Sequence, residues 1–217
     1  MNFPNAANGV KKIFASEVMI LFAAIFSLIT ALMTFTAFVA ASNNSVMGGI
    51  AAGSGVAIFG FASLILFVAG YITNFIGIKK ASADEEDFKK AFYALVIGLL
   101  AVIISVLLSE NKMLSSACDI INNVAQLFVT VYVIQGIRNI AVKIGDSEVD
   151  SKGGDIFKVI LCIYTLIFLS KAISIFFPTS TGTVLSVVLV IMAGFLSIVQ
   201  YVLYLSYLSR AKKMLGV

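Results

Sequence analysis

Residues 14–41 read FASEVMILFAAIFSLITALMTFTAFVAA, and Glu17 is the one acid or base among them. A helix crosses the hydrocarbon core of a bilayer with about 20 apolar residues. The apolar region of a secretory leader is shorter, about 7–15 residues, and here a second apolar run follows at once. The stretch is therefore expected to be a retained transmembrane helix. Working outward, runs of the same character occupy 49–78, 91–109, 117–137, 156–177 and 184–208. The expectation is an all-α integral membrane six-helix bundle, a single membrane domain over 1–217.

Composition points the same way. Soluble domains carry about 25% charged residues. This chain of 217 residues has 12% charged and 60% apolar, too little polar surface for a water-soluble globule. It has no His, which removes His-based acid–base chemistry, His-activated nucleophiles and His-ligated metals. Two cysteines, Cys118 and Cys162, cannot make a four-thiolate metal site. There is no Gly-x-Ser-x-Gly elbow and no pair of intramembrane Asp. No enzyme, cofactor or metal is expected, and no catalytic or cofactor-binding residue is assigned.

The charges sort by side. The short connections 42–48, 110–116 and 178–183 are almost free of charge, while 13 of the 15 basic residues fall in the termini and the other connections. The positive-inside rule makes that side cytoplasmic, with both termini inside. The net charge of +4 is then a topology signal, and no nucleic-acid partner is expected. Six of the seven tyrosines, among them Tyr204 and Tyr207, fall near the basic ends and suit an interfacial belt. Asn43-Asn44-Ser45 is formally a glycosylation acceptor but sits too close to the bilayer to be used.

Three helical hairpins are legible, at about 10–81, 88–143 and 156–213. They start Val10-Lys11-Lys12-Ile13-Phe14, Phe88-Lys89-Lys90-Ala91-Phe92 and Ile156-Phe157-Lys158-Val159; two end Gly77-Ile78-Lys79-Lys80-Ala81 and Gly136-Ile137-Arg138-Asn139. This is read either as a triplication or as the basic flanks that any such hairpin requires. Three two-helix repeats are also the architecture of mitochondrial solute carriers, but their proline–acid–basic motif is absent from a chain with only two Pro. The Gly-Ile-Lys-Lys-Ala ending resembles hairpin ends in small uncharacterised bacterial multi-spanning membrane proteins. That resemblance implies a bacterial cytoplasmic membrane and no particular activity.

Two connections on the basic side invite specific readings. Ser82 and Glu85 are spaced as a capping box, so 82–87 is expected to be a solvated start of the third span. Residues 146–155 resemble a calcium loop without its spacing or its final bidentate Glu. They are expected to be a flexible linker, broken by Gly153-Gly154.

The candidate site is polar. Asp119, Asn122, Asn123, Gln126 and Thr130 share one face of the fourth span, expected to point into the bundle because lipid would leave them unpaired. Lys171 and Ser174 lie toward the same leaflet, so an Asp119–Lys171 pair is expected. The face either lines a water-filled cavity or holds helices together, with Ser116 and Asp119 capping the fourth helix and Lys171 reaching the surface. Glu17 has only apolar neighbours on its own helix, and Lys90, Lys158 or Arg210 is expected to neutralise it. Asn74, Gln135 and Gln200 are expected to satisfy one another or line an inner vestibule. Small-residue rows at Gly49-Gly53-Ala57 and Ala94-Gly98-Ala101-Ser105 suit close helix packing or a homodimer seam. The expected function is a non-enzymatic bundle acting as scaffold, oligomer or accessory subunit. The alternative is a small-solute or ion transporter. The expected partners are the lipid bilayer and either a second copy or another membrane protein.

Overall fold

The computed structural model describes residues 3–42, 46–108, 110–176 and 180–216, and among them the only regular elements are α-helices. The side chains of 40–42, 46–52, 112, 113, 116, 168, 171, 172, 174–176 and 180–183 fall outside that description. So do the acceptor sequence at 43–45 and the side-chain roles expected of Gly49, Ser116, Lys171 and Ser174.

The helices are α1 (Pro4–Ser42), α2 (Val46–Ala81), α3 (Glu86–Leu107), α4 (Lys112–Ile144), α5 (Ser147–Phe176) and α6 (Ser180–Met214). Among the described residues, five stretches are long and apolar enough to cross a membrane: Pro4–Val39, Gly53–Ala81, Glu86–Leu107, Ala117–Ile144 and Val184–Met214. The chain is a membrane-spanning helical protein. The expected fifth span is helical as far as Phe176, and part of its apolar half falls outside the description.

The chain divides into two compact units. In Lys11–Gly77, α1 and α2 pack antiparallel. A Cβ on Gly70 would lie 2.9 Å from Ile20 Cγ1 and 3.2 Å from the Ser16 carbonyl oxygen, so only glycine permits this approach. Farther along, Ser63 Oγ donates to the Ala23 carbonyl at 2.9 Å and lies 2.7 Å from Ser27 Oγ. Phe26 and Phe59 meet edge to face, with centroids 5.7 Å apart. Gly53 and Ala57 are exposed, with open space where a Gly53 side chain would stand. Gly53 and Ala57 therefore do not serve packing within the unit.

The other unit begins with the segment ending at Val10 and resumes at Ile78. Here α3 packs on α4 and α5 on α6, while α4 also meets α5 and α6. The small face of α3 is used up inside it. Ala91, Ala94, Gly98 and Ala101 are buried, and a Cβ on Gly98 would come within 3.1 Å of Asn122 Oδ1 and 3.2 Å of Ala125 Cβ. That face is therefore not a free homodimer seam.

The core lies toward one end of these helices. Phe88 and Leu95 near the start of α3, Ile134, Ile137 and Ile140 near the end of α4, and Tyr207 and Leu208 near the end of α6 are essentially inaccessible. Gly136 admits the Phe88 ring, which would stand 2.9 Å from any Cβ there. Tyr204 and Tyr207 thus belong to the core and not to the interfacial belt expected of them. At the opposite end Val106, Leu107 and Ile120 are exposed, as lipid-facing residues are. Phe88→Ala should destabilise by about 3–5 kcal/mol. Phe35→Ala, at a side chain 65% exposed, should change stability by less than about 0.5 kcal/mol. Thermal unfolding midpoints in detergent measure both.

Candidate functional site

Two polar constellations stand out, one where the basic helix ends gather and one on α4. The first is centred on the α2–α3 connection. Asp84 accepts from the Ala6 backbone N–H at 2.8 Å and from Asn5 Nδ2 at 2.9 Å. It caps the first turn of α1 from 78 residues away, where helical N–H groups have no partner of their own. Glu85 accepts from Asn139 Nδ2 and pairs with Lys143; Asp87 accepts from Asn139 at 2.7 Å and from Lys90 at 2.8 Å. These carboxylates are therefore not a solvated helix start: the Glu85 side chain is 8% exposed and that of Asp87 11%. Nor does the expected capping box form. The Ser82 hydroxyl donates to the Lys79 carbonyl, and Glu85 takes the N-cap position without a side-chain cap.

The α4–α5 connection is equally ordered. Gly145 ends α4 in the left-handed region at φ 86°, a conformation that suits glycine. Asp146 then accepts from the Val149 N–H at 3.0 Å and starts α5. The helix runs unbroken through Gly153-Gly154, where a break was expected. The reason is packing: a Cβ at Gly153 would stand 2.5 Å from Arg138 Cγ and 2.7 Å from Tyr207 Oη. Arg138 pairs with Asp150 at 2.8 Å, and Tyr207 donates to the Ile134 carbonyl at 3.2 Å. Glu148 receives both Lys152 and Arg210.

Glu17 is half-buried on α1 and is engaged by a neighbour.

The second constellation is the α4 stripe. The helix starts a turn earlier than expected, with Asn111 capping it through the Leu114 N–H, so Asp119 lies within the helix. Asp119 accepts from Ser105 Oγ on α3 at 2.9 Å, and Ser105 also meets Ser115 Oγ at 2.9 Å. Asn122 turns toward Gly98, and its buried Oδ1 has no hydrogen-bond partner. Asp119, Asn123 and Gln126 are exposed, and Thr130, half-buried, donates to the Gln126 carbonyl. The stripe therefore runs along the border of the helix contacts and is only partly enclosed by them.

Gln126 and Thr130 nevertheless share a cavity of about 140 Å³ with Ile160, Tyr164 and Gln200. Gln200 is the residue that sequence reasoning misplaced. Grouped by depth with Asn74 and Gln135, it instead faces Gln126. Gln135 is exposed, and Asn74 Oδ1 is buried without a partner. The missed signal was a period of seven along α6: Ser186, Ala193, Gln200 and Tyr207, three of them buried and Gln200 half-buried. On α5, Ser170 donates to the Ser186 carbonyl at 3.0 Å. Cys118 and Cys162 are free thiols.

No model of a known protein family, no curated protein and no solved structure matches the chain.

Two outcomes follow from the charged cluster. Asp84→Ala, which uncaps α1, should lower stability by about 0.5–2 kcal/mol, read as a fall in the thermal midpoint. The Lys152 and Arg210 cations hold the Glu148 carboxyl below its usual 4.5. A depressed carboxyl contributes stability above its unfolded value and loses it as pH falls through the lower folded value. Acidification below 4.5 should therefore narrow the difference in thermal midpoint between the native protein and Glu148→Gln.

Proposed function

We propose that the protein is a non-enzymatic membrane bundle that acts by association, as a scaffold, oligomer or accessory subunit, with its basic end in the cytoplasm. The observation that carries this reading is the α4 stripe. Asp119, Asn123 and Gln126 are exposed on one face of a segment, Ala117–Ile144, apolar enough to span a membrane. Hydrocarbon offers such groups no hydrogen bonds, and leaving an amide unpaired there costs several kcal/mol. A polar or small-residue helix from a second copy or from another membrane protein would satisfy them. The gathering of 13 of the 15 basic residues at one set of helix ends supports the orientation. The packed pairs α3–α4 and α5–α6 support the hairpin plan.

A photoreactive residue at Asn123, activated in native membranes, should give protein–protein adducts. The same residue at Phe195, a side chain 69% exposed, should give lipid adducts. Lipid adducts alone at both positions would overturn the association reading.

One observation favours a second reading, a transporter or channel for a small solute or ion. The cavity between Gln126, Thr130, Tyr164 and Gln200 has polar walls and room for several water molecules. A water-soluble thiol reagent should then label Gln126→Cys and Thr130→Cys in membranes, with the native cysteines replaced. Protection at both would argue for a dry, structural interior.

A further inference from the structure

A groove of about 300 Å³ runs between α5 and α6 at the basic end. Lys152, Asp155 and Arg210 line it together with Ser206 and Tyr207, and Ile156, Val159 and Leu203 line it farther from the α5 start and the α6 end. On α5 the change from Lys152 to Val159 takes seven residues, and on α6 the change from Arg210 to Leu203 takes the same number. Each interval is about 10 Å of helix. Both walls thus pass from charge to hydrocarbon over the distance in which a phospholipid passes from headgroup to acyl chain.

The charges are arranged for a particular headgroup. Lys152 and Arg210 both reach the Glu148 carboxylate, so the two cations can converge on one anion. Asp155 is 66% exposed and held by Lys158, three residues on, an exposed pair of small worth. It remains available as an acceptor. A phosphate therefore finds two cations, an adjacent ammonium with N–H donors finds a carboxylate, and the chains find an apolar floor.

We propose that this groove binds a phospholipid of the phosphoethanolamine class, with phosphate at Lys152 and Arg210 and ammonium at Asp155. A trimethylammonium headgroup has no N–H to offer Asp155. An anionic headgroup without an amine offers that carboxylate no N–H donor and adds a second negative charge beside the one Lys158 already meets. Glu148 competes with the phosphate for the same two cations. The inference is independent of whether the α4 stripe meets protein or water.

The full-length protein would be placed in nanodiscs holding equal parts phosphatidylethanolamine, phosphatidylcholine and phosphatidylglycerol with identical acyl chains. Lipid retained after gentle delipidation would be read by mass spectrometry. Ethanolamine lipid should be enriched over choline lipid by roughly two- to fivefold, the range of one exposed ion pair. Asp155→Asn, at an exposed position, should return that ratio to the bulk value. Lys152→Ala with Arg210→Ala should lower retention of all three lipids, and Glu148→Gln should raise it. On the lipid side, N-acetylation of the ethanolamine should abolish the enrichment in the native protein, with no variant required. A bulk ratio in the native protein, an enrichment indifferent to Asp155→Asn or to N-acetylation, or dominance of the glycerol headgroup would overturn the proposal.

Discussion

Three carboxylates within four residues, Asp84, Glu85 and Asp87, stand where three helices have their ends. A helix start leaves N–H groups unbonded and carries partial positive charge; a helix finish carries the reverse and favours cations. Asp84 supplies the first need for α1, and Glu85 with Asp87 draws Asn139 and Lys143 from the last turns of α4. The start of α3 is thereby fixed against the end of α4. With Phe88 seated over Gly136, the rotation of α4 is fixed as well, and with it the direction in which Asn122, Gln126 and Thr130 point. Everything said of the stripe depends on that clamp.

Most of the architecture was legible because the bilayer imposes it. Segments within hydrocarbon must satisfy their own backbone, so long apolar runs are helices, and all six expected segments form helices. The charged connections were misread for a different reason. Composition made 82–87 and 146–155 look solvated and loose, since runs of acids and glycine pairs usually are. Their order comes from partners far away in the chain: Asn5 for Asp84, Asn139 for Asp87 and Arg138 with Tyr207 for Gly153. Local pattern carries no record of such partners.

The candidate site was half legible. Helical spacing put Asp119, Asn122, Gln126 and Thr130 on one face, but the facing helix could not be read from that spacing. The face is shared: Asp119 and Asn122 lie along α3 at Ser105 and Gly98, Gln126 borders both Gly98 and the cavity toward α5 and α6, and Thr130 lines that cavity. Depth alone had paired Gln200 with the wrong amides. A seven-residue period in α6 was the better guide, because a helix buried along one seam repeats its inward positions at that interval.

The uneven core of α3–α6 also has a mechanical meaning. Large side chains are buried most completely where α3 and α5 begin and α4 and α6 finish, whereas toward the opposite ends Val106, Leu107 and Ile120 are exposed and the helices meet through Ser105 with Ser115 and Asp119 and through Ser170 with Ser186. Such a set of helices is held most firmly at one end. Across about 30 Å of span, the thickness of the hydrocarbon core, a tilt of a few degrees at the clamped end becomes a displacement of ångströms at the free end. Changes in bilayer thickness, which helices meet by tilting, are thus expressed most at the end away from the large buried side chains.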